Sequence, residues 1–251
     1  MDASVKLNEK RLLETTSASL HIMAMAFMLC DHLWSVIPGN DWLTCIGRVA
    51  YPLFAFMIVE GYFHTKNLKK YVSRLAVFAL ISEIPFNLMY GSSWSYIVHQ
   101  NVLITFLISI GLIHINEKAR IKGKLWRRIA VAIVSLAAGY ILGIVTFCDY
   151  NYAGIFTILV FYFFRGRKWY HFAGQLICLF WINVEMLGGF AYEIPIGDDT
   201  FYFTRQALAL LALVPIWLYR GRQGHHSKPF QYFCYSFYPA HMFIIGLTKL
   251  I

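Results

Sequence analysis

Nine mainly apolar stretches, each close to the length of a membrane-spanning helix, dominate this chain of 251 residues. They run over 17–38, 43–64, 71–90, 97–116, 125–147, 149–165, 169–190, 201–219 and 230–250. A helix needs about 20 apolar residues to cross the hydrocarbon of a bilayer, where no water is present to satisfy an open sheet edge. The sequence therefore predicts an all-α fold, a polytopic integral membrane helical bundle of about nine transmembrane helices (nine to ten). It reads as a single domain over 1–251, headed by a polar segment at 1–16. The sixth stretch is the weakest span, because its strictly apolar part runs only from Tyr152 to Phe164. Composition agrees. Charged residues make up 14% of the chain, against about 25% in soluble domains, too few to coat a water-facing surface of this size.

The charges that remain are ordered. Lys6, Lys10 and Arg11 precede the first stretch, and the next loop has no base. Lys66, Lys69, Lys70 and Arg74 follow, then another loop without bases. Lys118, Arg120, Lys122, Lys124, Arg127 and Arg128 come next, then Arg165, Arg167 and Lys168, then Arg220, Arg222 and Lys228. Loop 191–200 carries Glu193, Asp198 and Asp199 instead. Of the 22 basic residues, all but Arg48, Arg205 and Lys249 fall on one side. Cytoplasmic loops are the ones enriched in Lys and Arg. The pattern predicts a multi-pass protein of the cell (inner) membrane, N-terminus inside and C-terminus outside, with no cleavable signal peptide expected. It also accounts for the net charge of +9 as an orientation signal, so no nucleic-acid partner is implied. The five cysteines form no C-x-x-C pair, and neither a metal site nor a disulfide framework is expected. Cys45 and Cys148 both fall near the outer face, which leaves a bond between them open.

Ionisable groups within apolar spans are costly and point to function. On this topology several fall at one depth, toward the outer face: Asp31 and His32 in the first span, Arg48 in the second, Glu83 and Asn87 in the third. Asn101 opens the fourth, Asp149 and Tyr150 the sixth, and Glu185 and Arg205 lie in the outer halves of theirs. Polar groups from separate helices meeting at one depth are what a site inside a bundle requires. Structural readings stand beside the functional ones. Asp31 and Arg48 pair equally well as a brace between neighbouring helices. Asp31 and His32 are adjacent, hence about 100° apart on a helix, so Asp31 is expected to take Arg48 while Glu83 orients His32. Glu60 and His64 share a face near the inner surface and are expected to snorkel. His21, His99, His114 and His241 read mostly as packing histidines, and Tyr238-Pro239 as a kink. Residues 129–147 carry no charge and are expected to face lipid. The many Phe and Tyr read as packing and interfacial belts.

Three stretches carry a resemblance: MAFMLCDHLW at 25–34, GRVAYPLFAFMIVEGYFHTKN at 47–67 and YVSRLAVFALISEIPFNLMY at 71–90. Together with DYNYAG at 149–154 and Tyr-Pro-x-His at 238–241, they resemble the TraX family. TraX proteins are implicated in acetylating the N-terminus of conjugative pilin, and the family is similar to a wider group of transmembrane acyltransferases. The resemblance implies acetyl-CoA as co-substrate, no metal, and a membrane histidine as the catalytic group. His32 is the matching position, with Asp31, Arg48 and Glu83 in the matched motifs.

The mechanism so implied has acetyl-CoA docking from the basic inner face, its phosphates near Arg74, Arg127 or Arg128. His32 takes a proton from the acceptor as general base, Arg48 or a nearby donor holds the oxyanion, and a covalent acyl-histidine stays open. Asn87, Asn101, Asp149, Tyr150, Arg205, Tyr238 and His241 are further candidates for binding substrate or co-substrate. The expected partners are the lipid bilayer, acyl-CoA and an acceptor that is a protein N-terminus, a sugar, a lipid or a small molecule. The apolar faces leave room for a homo-oligomer. Two rivals use the same residues. A secondary transporter also needs intramembrane charges, though no inverted repeat is visible. A non-enzymatic assembly factor needs them only as structural pairs.

Overall fold

The computed structural model describes residues 14–37, 39–96 and 98–250. Lys6, Lys10 and Arg11, most of the N-terminal segment 1–16, and Pro38 and Ile97 at the ends of two expected spans lie outside the described residues. The described part is an integral membrane protein built mainly of helices. Four helical units are long and apolar enough to cross a membrane: Asp41–His64, Leu68–Gly91, Val102–Lys122 and Leu125–Val145.

Capping chemistry starts the helices where the sequence offers it. Helix α1 (Ser17–Leu33) opens on a reciprocal cap, in which the Ser19 amide donates to Thr16 Oγ1 and the Thr16 amide to Ser19 Oγ. The expected second span is two helices, α2 (Asp41–Gly47) and α3 (Ala50–His64), joined by a turn at 48–49. Pro52 accounts for the break, since it has no N–H to donate to the Arg48 carbonyl one turn back. Asn67 caps α4 (Leu68–Gly91) through the Lys70 amide. Asn101 caps α5 (Val102–Lys122) through the Leu103 amide. Then follow α6 (Leu125–Val145), α7 (Asn151–Phe163) and α8 (Trp169–Trp181), the last widening into a π turn over Ile182–Leu187.

The eighth expected span, 201–219, starts too early. Residues 201–204 belong to an antiparallel hairpin of β1 (Ala191–Ile196) and β2 (Asp199–Thr204), turning at Gly197–Asp198 with Gly197 at φ 64°. A two-residue turn with a glycine at positive φ matches the twist of paired strands. The helical part is shorter, a 3₁₀ segment Arg205–Ala212 running into α9 (Leu213–Leu218). Helix α10 (Lys228–Thr248) completes the chain, capped by Ser227.

The bundle is arranged around α7. Almost every residue from Ala153 to Tyr162 is buried, among side chains of α1, α3, α5 and α8. Helix α6 is the opposite case. Ser135, Gly139 and Gly143 are its buried residues, and Ile133, Val134, Ile141 and Val145 point outward. Small residues every fourth position let backbones approach closely. A Cβ on Gly143 would fall on the backbone of Tyr152, without room to shift. Helices α4 and α10 meet as closely, since a Cβ on Gly246 would lie 2.7 Å from Leu88 Cβ and 3.0 Å from the Met89 nitrogen.

The two ends of the bundle differ in chemistry. At one, Arg165 pairs with Glu60 at 2.7 Å, Arg167 donates to the Tyr219 carbonyl at 2.7 Å and the Ser17 amide donates to the Arg222 carbonyl at 2.9 Å. The basic loops therefore gather together. At the other, Gln100 pairs with the loop before α7, Tyr192 of the hairpin touches Cys45, and Lys249 donates to the Met89 carbonyl.

Candidate functional site

A cavity of about 310 Å³ opens in the half of the bundle away from the basic loops. Its walls come from the last turns of α1 and α4, the first turns of α3 and α5, the loop before α7, and α10. Six candidate residues read from the sequence line it: Asp31, His32, Arg48, Asp149, Tyr150 and Tyr238.

Asp31 and Arg48 form the expected ion pair. The Asp31 carboxylate also accepts from Thr44 Oγ1 at 2.8 Å. Arg48 donates from Nε to the Thr44 carbonyl at 3.2 Å and from Nη1 to Gln206 Oε1 at 3.3 Å. A guanidinium has five N–H donors. Three are engaged here, two are left, and Arg48 is among the residues that line the cavity.

His32 does not pair with Glu83. Its Nδ1 lies 2.7 Å from Nε2 of His241, a residue read from the sequence mostly as packing and also as a binding candidate. The Glu83 carboxylate instead accepts from Asn101 Nδ2 at 2.5 Å, and the same amide donates to the Ala79 carbonyl at 2.9 Å. Glu83 thus ties α4 to the cap of α5. The reason is geometric. His32 sits against α10 at the near wall, while Glu83 points to the α5 side.

The loop before α7 is strained. Phe147, Tyr150 and Asn151 have φ of 51°, 59° and 50°, a left-handed region that side chains with a Cβ seldom occupy. The surroundings hold it there. Gln100 exchanges backbone bonds with Phe147 and Asp149 at 2.8 and 2.9 Å, and Thr105 Oγ1 donates to the Asp149 carbonyl at 2.7 Å. His99 Nε2 lies 3.2 Å from the Asp149 carboxylate. The outcome is a Tyr150 ring stacked on Tyr51, centroids 3.9 Å apart, in the cavity wall. Non-glycine residues fixed in such conformations cluster at functional sites.

The other candidates lie elsewhere. Asn87 is buried on α4, and its Oδ1 has no hydrogen-bond partner among the described residues. Arg205 lies behind the cavity rim, its guanidinium 5.3 Å from the Trp34 ring and 5.2 Å from Phe190. Arg74, Arg127 and Arg128 are exposed at the basic end and do not line this cavity. Arg127 borders a separate, apolar recess of about 210 Å³ between α5 and α6. Cys45 and Cys148 are both free, Cys45 being 3.1 Å from the Tyr192 hydroxyl. Among the described residues no group of three or more His, Cys, Asp or Glu is arranged to hold a metal.

Sequence reading missed Trp34, Tyr51, Tyr90 and Lys249 as cavity residues. The aromatics gave no signal distinct from membrane packing. Lys249 had one, as a base on the side that lacks bases.

Comparisons with known proteins cover nearly the whole chain. The model of the TraX protein family matches residues 16–249. The probable fimbrial assembly protein FimC, serogroup H1, of Dichelobacter nodosus is 25% identical over 261 residues, which covers 96% of this chain and 98% of that protein. No solved structure matches. With the family model spanning the helices that build the cavity as well as those that enclose α7, this chain belongs to the TraX family.

Proposed function

We propose that this protein is a transmembrane acyltransferase. It moves an acetyl group from acetyl-CoA to an amine or hydroxyl of an acceptor held in the cavity, with His32 as general base. One observation carries the reading: a buried imidazole in the wall of a cavity that Asp31, Arg48 and Asp149 also line, with a second imidazole behind it. Pure helix bracing has no need of a cavity there.

In this reading the acceptor nucleophile attacks the thioester carbonyl, and His32 takes its proton. The N–H groups that Arg48 has left stabilise the oxyanion. Asp31 holds Arg48 in place and Tyr150 shapes the wall opposite. Glu83 acts at a distance, by fixing the start of α5. CoA phosphates bind at the basic end, where Arg74, Arg127 and Arg128 are exposed, and that end faces the cytoplasm. The nine-span arrangement with the N-terminus inside is part of the same proposal.

Calorimetry of acetyl-CoA against the purified protein in detergent tests it. Saturable binding is expected, weakened in Arg128→Ala. Release of CoA from acetyl-CoA should depend on His32 and vanish in a folded His32→Ala variant. Absence of binding to folded protein would overturn the reading. The name of the fimbrial relative favours a second reading, assistance in assembling a surface fibre without acyl transfer. It predicts no acetyl-CoA binding at all.

A further inference from the structure

His241 Nδ1 lies 2.6 Å from the carbonyl oxygen of Phe237, one turn back on α10. A carbonyl oxygen only accepts, so that nitrogen carries a hydrogen. With the ring neutral, His241 Nε2 is then a bare acceptor. His32 Nδ1, 2.7 Å away, must be the donor between them. With both rings neutral one assignment remains: His32 carries its hydrogen on Nδ1, and its Nε2 has a free lone pair. Nε2 makes no hydrogen bond among the described residues, and His32 is the member of the pair that lines the cavity.

The orientation is held by an in-line hydrogen bond and by packing. The rings of His32 and His241 are nearly coplanar, at 10° with centroids 4.9 Å apart, edge to edge across the Nδ1–Nε2 contact, and Phe237 lies against His241 at 4.8 Å and 22°. His241 is also buried, at 7% exposure. A ring packed on Phe237, with both nitrogens engaged, has one orientation.

We propose that His241 is a positioning residue and proton carrier for His32: it fixes the tautomer that bares Nε2 to the cavity, then accepts the Nδ1 proton as Nε2 becomes protonated. The tautomer part stands on geometry alone. The proton-carrying part rests on the acyltransferase reading. In that step the acceptor's lone pair forms a bond to the thioester carbon, and its proton goes to His32 Nε2. The His32 Nδ1 proton moves to His241 Nε2, leaving His241 cationic against the Phe237 carbonyl. As the tetrahedral intermediate collapses, the carbon–sulfur bond breaks. The proton returns to His32 Nδ1, and Nε2 gives its own to the departing CoA sulfur. Atoms and charge balance without any oxidant or reductant.

The test has two readouts on the full-length protein in detergent. Nitrogen-15 NMR of histidine-labelled protein, assigned with His32→Ala, reads the tautomer. Wild type should show His32 protonated at Nδ1 and bare at Nε2, a pattern lost in His241→Phe and kept in His241→Gln, whose amide oxygen can accept. His32 protonated at Nε2 in the wild type would overturn the proposal. The second readout is CoA release from acetyl-CoA with hydroxylamine as probe acceptor. His241→Phe should lower kcat about 100-fold with KM for acetyl-CoA little changed, and His241→Gln should recover most of it. Equal kcat in His241→Phe and wild type would also overturn it. If acetyl-CoA is neither bound nor consumed by any form, the acyltransferase reading falls, and with it the proton-carrying step, while NMR still decides the tautomer.

Discussion

Asp31 and Arg48 close an ion pair between α1 and the turn joining α2 to α3, and Gly47 is the residue that lets them meet. Any Cβ at position 47 would fall on the Asp31 side chain. The pair is only slightly exposed, 20% for Arg48 and 14% for Asp31. Arg48→Met leaves the carboxylate with only the Thr44 hydroxyl. We expect a loss of about 2 kcal/mol, between the values for surface and fully buried pairs. Thermal unfolding in detergent checks it. The double variant Asp31→Asn/Arg48→Met should be more stable than Arg48→Met alone, because no uncompensated charge remains; strictly additive losses would argue against a coupled pair.

Two glycines should respond to alanine with opposite signs. Gly111, on α5, has open space where a Cβ would go. Gly111→Ala should stabilise the protein by about 0.5–1 kcal/mol through the lost flexibility of the unfolded chain. Gly143→Ala should destabilise by about 1–3 kcal/mol, since the added methyl meets the backbone of α7 rather than a side chain able to move. A melting temperature in Gly143→Ala equal to wild type would mean that α6 and α7 are not held this close.

Glu83 and Asn101 separate architecture from chemistry. Asn101→Ala removes the cap of α5 and strands the Glu83 carboxylate, for a loss of about 2–3 kcal/mol. Glu83→Gln keeps an oxygen to accept from Asn101, and CoA release should stay within a few-fold of wild type. A fall in Glu83→Gln as deep as in His32→Ala would place Glu83 in the reaction itself.

The five cysteines are free. Protein purified without reductant and then denatured should titrate five thiols. Titration of three would restore the Cys45–Cys148 bond that Cys45's contact with Tyr192 and the burial of Cys148 replace.

The four long apolar helical units were readable because they follow from local composition. Helices α4 and α6 lie close to the stretches expected for them, while α5 runs from Val102 to Lys122, shifted about a turn and a half past the expected 97–116. The failures have separate causes. The Arg48–Val49 turn hides inside a long apolar run, where Pro52 was the available sign. The hairpin was signalled by Gly197-Asp198 between strand-like runs, but hydropathy absorbed Phe201, Tyr202 and Phe203 into a span. His32 and His241 are separated by 209 positions. Only the packing of α10 against α1 and α4 brings them together, and one sequence carries no record of that packing. The Asp31–Arg48 pair was legible because its members sit at one depth in the first two apolar stretches.

Helix α7 has 13 residues, a rise of about 20 Å at 1.5 Å per residue. A bilayer's hydrocarbon layer is about 30 Å thick. The shortfall falls in the most enclosed helix of the protein, with the cavity beside its N-terminal end. In the proposed acyl transfer, a thioester presented from one side to a nucleophile arriving from the other would have about a third less helix length to pass than a full span would set between them.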